Sequence, residues 1–261
     1  MYSLVRTVAL SSLKSLILAG LAAAASHVPA LSQSSAPVVE PGSGVATGAK
    51  LAPYAARFSL TRVGPGGTET PAGAWTDEVK LMGSGERAVL WRRVERFDAQ
   101  GVSELVRVQS ADLATMAPLR THQVGPNGTV IHVDYEADSL RSVLIPSPDG
   151  AALTARTEAM AAFDLSLYAV LLRSLPLEDG YTASVAIAAM APGGAVQLVQ
   201  ETVRVTGREQ VSAGGITADA WVVETSLIPW KVWLWDDAPY IARFEQPNPD
   251  GTITVSTLVG E

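Results

Sequence analysis

The chain has 261 residues, 48% of them hydrophobic and only 17% charged, with a formal net charge of −7 and no cysteine. That length supports one large domain or two modest ones, each with a sizeable core. An acidic chain without a basic stripe argues against nucleic acid, whose backbone demands clustered Lys and Arg, and against adsorption to anionic lipid by charge alone. Without cysteine there are no disulfides, thiolate metal sites or lipidated cysteine anchor.

At the N-terminus, Arg6 and Lys14 precede an apolar run from Ser15 to Ala25, and no acid occurs before Glu40. A positive start, a short apolar stretch and then small residues is the pattern of a secretory signal peptide over residues 1–32, with cleavage after Ala30 or a residue or two later. The run is too short to cross the roughly 30 Å hydrocarbon core as a helix. The expectation is therefore a periplasmic or secreted protein with no transmembrane segment after cleavage. Residues 33–53 are rich in Ser, Gly, Pro and Ala and lack aromatics, which reads as a flexible linker.

From Tyr54 the chain breaks into short alternating runs separated by turn residues. "YAARFSLTRV", "WTDEVKLM", "RAVLWRRVERFD" and "VSELVRVQSADL" come first; "LRTHQV" and "TVIHVDYE" then flank Gly125-Pro-Asn-Gly128. Asn-Gly supplies positive φ at low steric cost and marks a hairpin. Later runs include "TASVAIAAM", "AVQLVQETVRVTGREQV", "ADAWVVETSLI", "WKVWLW", "YIARFEQ" and "TITVSTLV". The spacing predicts roughly a dozen antiparallel strands joined mostly by tight turns. One segment differs: Thr157 to Leu175 has apolar residues at helical spacing, with Thr157 placed to cap and Pro176 to stop it. Such a helix would be about 28 Å long at 1.5 Å per residue. Its polar residues do not form one wide face, so it is expected to lie covered across the sheet. The whole of 54–261 reads as a single α+β domain.

Catalytic constellations are scarce. His27 falls in the signal peptide; His122 and His132 flank the Asn-Gly turn. An even loop would put these two on opposite faces, and an odd loop would set them opposite each other on one face, with Asp134 sharing the face of His132. Two imidazoles still lack the three protein ligands usual for a catalytic zinc. There is no Gly-x-Ser-x-Gly elbow, phosphate-binding loop or dinucleotide fingerprint. Asp236-Asp237, followed by Ala-Pro, is ordinary turn chemistry. No catalytic residue, metal or cofactor is assigned.

The stretch "PWKVWLW" is the richest in tryptophan. Alternation puts Trp230, Val232 and Leu234 on one face, and Lys231, Trp233 and Trp235 on the other. The returning strand alternates likewise, so both faces carry large apolar groups. The second face is covered by the helix and fills a core, lines an apolar cavity, or meets a partner.

Several stretches resemble a bacterial envelope family catalogued as domain of unknown function 3108. They are "DLSLYAVLLRSLPLEDGYTASV" (Asp164 to Val185), "REQVSAGGITADAWVVE" (Arg208 to Glu224), "VWLWDDAPYIARFE", and "SADLATMAPLRTH" from Ser110. The resemblance covers about Leu105 to Glu245. It departs from the family pattern at Ile241-Ala242, where a Pro-Val pair is frequent, and at Pro239, which comes earlier. The resemblance implies an open antiparallel half-barrel holding a helix on its concave side, similar to periplasmic lipoprotein carriers, and brings no catalytic residue.

The sequence reading is thus a curved, mostly β sheet of α+β class enclosing one apolar helix. The expected function is a non-enzymatic envelope protein that binds a lipid or other apolar small molecule. The candidate ligand-binding residues are Trp221, Trp233, Trp235, Phe163, Tyr168 and Leu172 as apolar walls, with Arg243 at the rim. The alternatives are a structural or interaction component with an envelope-protein partner and a self-filled core, and an unrecognised hydrolase.

Overall fold

The computed structural model describes residues 36–260 apart from 159, 192, 193 and 228. The signal peptide expected over 1–32, with His27, lies outside the described residues. The strands are β1 (Val38–Val39), β2 (Tyr54–Val63), β3 (Glu69–Met82), β4 (Val89–Phe97), β5 (Ser103–Asp112), β6 (Pro118–Val124), β7 (Val130–Tyr135), β8 (Ser139–Ile145) and β9 (Leu153–Glu158). Then follow β10 (Phe163–Asp164), helix α1 (Tyr168–Ser174), β11 (Thr182–Met190), β12 (Val196–Ala213), β13 (Ile216–Thr225), β14 (Lys231–Leu234), β15 (Ile241–Pro247) and β16 (Ile253–Gly260).

They form one 16-stranded sheet in the order β1-β11-β12-β13-β14-β15-β16-β2-β3-β4-β5-β6-β7-β8-β9, with β10 also on β11. Every long strand pairs antiparallel with its neighbour; only the two-residue β1 and β10 run parallel to β11. The first long strand and the last, β2 and β16, meet in mid-sheet. The curved, open, mostly β sheet with one helix is the expected architecture.

Successive side chains on a strand point to opposite faces, and β11 shows how the sheet rolls up. Ala183, Val185 and Ile187 enter the main core with α1, Phe58, Val79 and Leu90. Ala186 and Ala188, on the other face, enter a second cluster with Val133, Leu140, Ala162 and Val196. Thus the inner face of β7–β8 lies on the outer face of β11. The two ends of the sheet overlap like a scroll instead of joining by ladder hydrogen bonds. The small residues of "TASVAIAAM" let both layers approach this strand.

Two expectations need correction. The helix spans only Tyr168–Ser174, preceded by a 3-10 turn at Leu165–Leu167. The segment before it forms β9, antiparallel to β8, and β10 on β11. The reason is Asp164: its carboxylate accepts from the Ser166 amide at 2.6 Å and caps the turn there, so the helical start lies seven residues beyond Thr157. Phe163, Leu167, Val170, Leu171 and Leu175 are buried as the spacing requires, but through strand, turn and helix in succession.

The described part of the linker, residues 36–53, is packed against the domain. Val39, Ala46 and Leu51 are buried, and the Gly42, Thr47 and Gly48 amides donate to the Thr115, Ser174 and Leu113 carbonyls. Small-residue composition signalled flexibility, whereas here it permits close approach: a Cβ on Gly48 would lie 2.4 Å from Leu113 Cδ1 and 2.5 Å from its carbonyl oxygen.

Candidate functional site

The residues singled out in the sequence lie mostly inside. Phe163, Tyr168, Leu172, Trp233 and Trp235 are all at most 5% exposed and belong to the main core. Tyr168 packs edge-on to Trp230 (centroids 5.3 Å apart), and Trp230 edge-on to Phe244 (4.9 Å). Burial raises the Tyr168 hydroxyl pKa well above its usual value, with Glu201 adding to the effect. Trp233 lies between the Lys231 ammonium and the Arg243 guanidinium, 4.7 and 5.2 Å from its ring, and donates from Nε1 to Glu209 at 2.7 Å. Trp221 is half-buried at the edge of the same core, under Arg208 at 3.8 Å, with Asp236 accepting from its Nε1.

Arg243 pairs with Glu245 at 2.5 Å and borders a shallow groove with Thr61, Val255 and Thr257. This is the outer face of β15, β16 and β2, opposite the face of Phe244 and the helix. Arg243 therefore does not share a rim with the helix residues. The register of the last hairpin is also fixed: Trp233 pairs with Arg243 and Leu234 with Ile241, which leaves Ala242 as the bulged residue. The departure from the family pattern at Ile241-Ala242 thus falls on the bulge.

A polar belt crosses the concave face below the helix. Asp77 and Arg92, 1% and 4% exposed, form a two-pronged pair at 2.8 Å. Tyr54 donates to the same carboxylate, and Arg92 Nη1 donates to the Ser166 carbonyl. Burial, then Asp77, raises the Tyr54 pKa well above its ordinary value. At the far side Asp164 accepts from Thr121 at 2.7 Å, from Tyr135, and from the Ser166 amide. Burial, then Asp164, likewise lifts the Tyr135 pKa well above its ordinary value. Between these anchors sit Gln109 and Arg107. Arg107 donates to Gln123 at 2.6 Å; burial pulls its pKa down to about 10, Asp164 opposes this, and Arg92 reinforces it. Its folded pKa is thus below the unfolded value, so its charge opposes folding at neutral pH, a penalty that fades only as pH rises past about 10.

Beside the Asp164 anchor, a cleft of about 470 Å³ opens at the mouth of the scroll. Its walls include Leu119, Tyr135, Leu140, Met160 and Ala162, with Pro41 from the N-terminal strap, and Glu136 is its one charged residue. Tyr135 joins cleft and belt, since it lines the first and donates to Asp164 in the second.

The five-residue loop 125–129 settles the histidine question in favour of one face. His122 pairs with His132, with ring centroids 5.8 Å apart. His132 bonds Asp134 at 2.8 Å, and Arg120 holds the same carboxylate at 2.7 Å. Partial burial would raise the Asp134 pKa, but the Arg120 and His132 hydrogen bonds outweigh it and hold it below the usual range. Among the described residues no three His, Asp or Glu side chains converge as metal ligands. Asp236 is bound by Arg208 at 2.9 Å on the surface.

Sequence reading missed the belt because its members share parity with apolar neighbours on strands where both faces carry apolar groups. Asp77 shares a face with Val79, Arg92 with Leu90, and Gln109 with Ala111. A polar residue recurring at that parity on three successive strands is the one available signal, and it requires the register.

The model of a family described as "Protein of unknown function (DUF3108)" matches residues 72–256, beyond the 105–245 of the sequence resemblance. A solved β-barrel-like protein of domain of unknown function DUF1849, from Brucella abortus, is similar with a TM-score of 0.41 and 11% identity, over 80% of this chain and 97% of that chain. No curated protein matches this chain.

Proposed function

The chain belongs to the DUF3108 family of proteins of unknown function, and we propose that it is an exported, non-enzymatic binder of a lipid or other apolar ligand in the bacterial envelope. The observation that carries this reading is the scroll-mouth cleft. Its volume, about 470 Å³, lies within the range of about 300–1,000 Å³ typical of small-molecule sites, and its lining is mainly apolar. On this reading the ligand lies on Leu119, Leu140 and Met160 and not on Trp233 or Trp235, whose side chains are buried. The test is lipid extraction and mass spectrometry on the protein purified from its native envelope without detergent, beside an Ala161→Trp variant. Ala161 is exposed at the cleft wall, so the bulky ring should block the cleft without touching the core. One lipid class near a one-to-one ratio, lost from Ala161→Trp at unchanged melting temperature, is the expected result. A protein that carries no lipid and takes up no fluorescent fatty-acid probe overturns the reading.

A second reading, a structural or interaction component of the envelope, is favoured by one observation: the candidate aromatic walls are packed on each other and on the helix. Stoichiometric recovery of one envelope protein without lipid would support it.

A further inference from the structure

The middle of the belt holds an unmet group. Gln109 is 1% exposed, and among the described residues neither its Nε2 nor its Oε1 has a partner. Buried side-chain amides are almost always hydrogen-bonded, so the neighbours indicate what this one would accept. Arg92, across on β4, is engaged by Asp77 and the Ser166 carbonyl. Thr121, across on β6, donates to Asp164. The carboxylates are taken as well: Asp77 by Arg92 and Tyr54, and Asp164 by Thr121, Tyr135 and the Ser166 amide.

The donors are in excess. Arg107 stands two residues from Gln109 on the same face of β5, and its one hydrogen bond among the described residues goes from Nε to Gln123. Its terminal nitrogens form no ion pair there, and the residue keeps part of its surface exposed despite the burial that lowers its pKa. We propose that Arg107 and Gln109 form a receptor for a carboxylate on the concave face. The two Cβ atoms are roughly 7 Å apart along the strand. A carboxylate can span this distance, with one oxygen on the planar guanidinium and one on the amide N–H, each at about 2.7–3.0 Å. Gln109 Oε1 then remains to accept from a hydroxyl beside that carboxylate, so hydroxy acids bind more tightly than plain acids. The low proton affinity of Arg107 fits a cation held without its counter-ion. This site stands apart from the cleft reading, because a carboxylate can sit here with the cleft empty.

The test is titration calorimetry of the purified protein with acetate, decanoate, 3-hydroxydecanoate and decanol. Decanoate is expected to bind at least tenfold more tightly than decanol, and 3-hydroxydecanoate more tightly still. Acetate binding as tightly as decanoate would assign the site to small free acids, and binding of the long acids alone to amphiphiles; both support a carboxylate receptor. Gln109→Leu should weaken carboxylate binding at least tenfold while raising the melting temperature, because it removes an unpaired buried amide. Arg107→Lys, which keeps the charge without the planar fork, should weaken it severalfold and serves if the leucine variant does not fold. In an Ala161→Trp background, where the cleft is blocked, the loss of carboxylate binding on Gln109→Leu should persist, which separates this site from the cleft. Absence of carboxylate binding, equal binding of decanoate and decanol, or affinities that neither Gln109→Leu nor Arg107→Lys moves would overturn the proposal.

Discussion

At the residue scale, Asp77 and Arg92 are the most consequential polar pair in the interior. Each is nearly inaccessible, and their two parallel hydrogen bonds at 2.8 Å leave neither charge exposed. Removing one member leaves the other buried and uncompensated, which typically costs about 3–5 kcal/mol, whereas replacing both by apolar residues of similar volume is often neutral. Asp77→Ala should therefore lower the urea unfolding free energy by about 3–5 kcal/mol, and Asp77→Leu with Arg92→Met should restore most of it. Equal losses in the single and double variants would show that the pair is not the source. None of this was legible in "WTDEVKLM" and "LWRRVERF", which hold three and four charged residues, and only the register shows which two meet. The tryptophans were more legible: alternation placed Trp233 and Trp230 on opposite faces, and their contacts agree, Trp230 with Phe244 and Trp233 with Arg243. What alternation could not give was the cover on each face, which comes from other parts of the chain. Trp230 meets Tyr168 of the helix, and Trp233 meets Glu209 of β12.

At the element scale, the N-terminal strap shows where composition misleads. Gly and Ala in "PGSGVATGAKLAP" have two physical uses: they permit freedom, and they permit contact. The strap uses contact, since Gly48 meets Leu113, and its amide donates to the Leu113 carbonyl at 2.9 Å. Any Cβ there must displace backbone or a buried leucine. Gly48→Val should cost roughly 1–3 kcal/mol, the usual range for overpacking, and should speed proteolytic cleavage within residues 40–50 under native conditions. Wild-type cleavage rates and stability in that variant would mean that the strap is held elsewhere. The helix was misread for a related reason. Its apolar spacing was real, but Asp164 binds the Ser166 amide more readily than it continues a helix. The sheet strands needed no such tertiary arbitration. Tight turns such as Asn127-Gly128, with Asn127 at φ 58°, fix antiparallel neighbours locally, so most of β2–β8 and β11–β16 could be placed from sequence.

At the scale of the whole molecule, the question is how a sheet with two free ends stays rolled. The overlap of β7–β8 on β11 is held by small apolar contacts and by few polar ones: Thr121 and Tyr135 reach Asp164 of β10, and Ser142 Oγ donates to the Gly194 carbonyl at 2.6 Å. Asp164 is the hinge of this arrangement, because its backbone pairs with β11 while its carboxylate binds the opposite layer. Hydrogen bonds to a charged group contribute about 1.5–3 kcal/mol each, and one such bond bears on local opening of the overlap before it bears on global unfolding. Tyr135→Phe removes one bond and keeps the ring at the cleft wall. It should raise amide exchange in β9, β10 and the C-terminal half of β11 by roughly ten- to hundredfold, at about 1.4 kcal/mol per decade, while leaving β2–β4 unchanged. The same opening would widen the cleft of which Tyr135 forms a wall, so uptake of a fluorescent fatty-acid probe should also become faster. Exchange that rises uniformly across all strands would instead mean that the sheet opens only by global unfolding, and a rigid cleft would then have to admit its ligand from the surface.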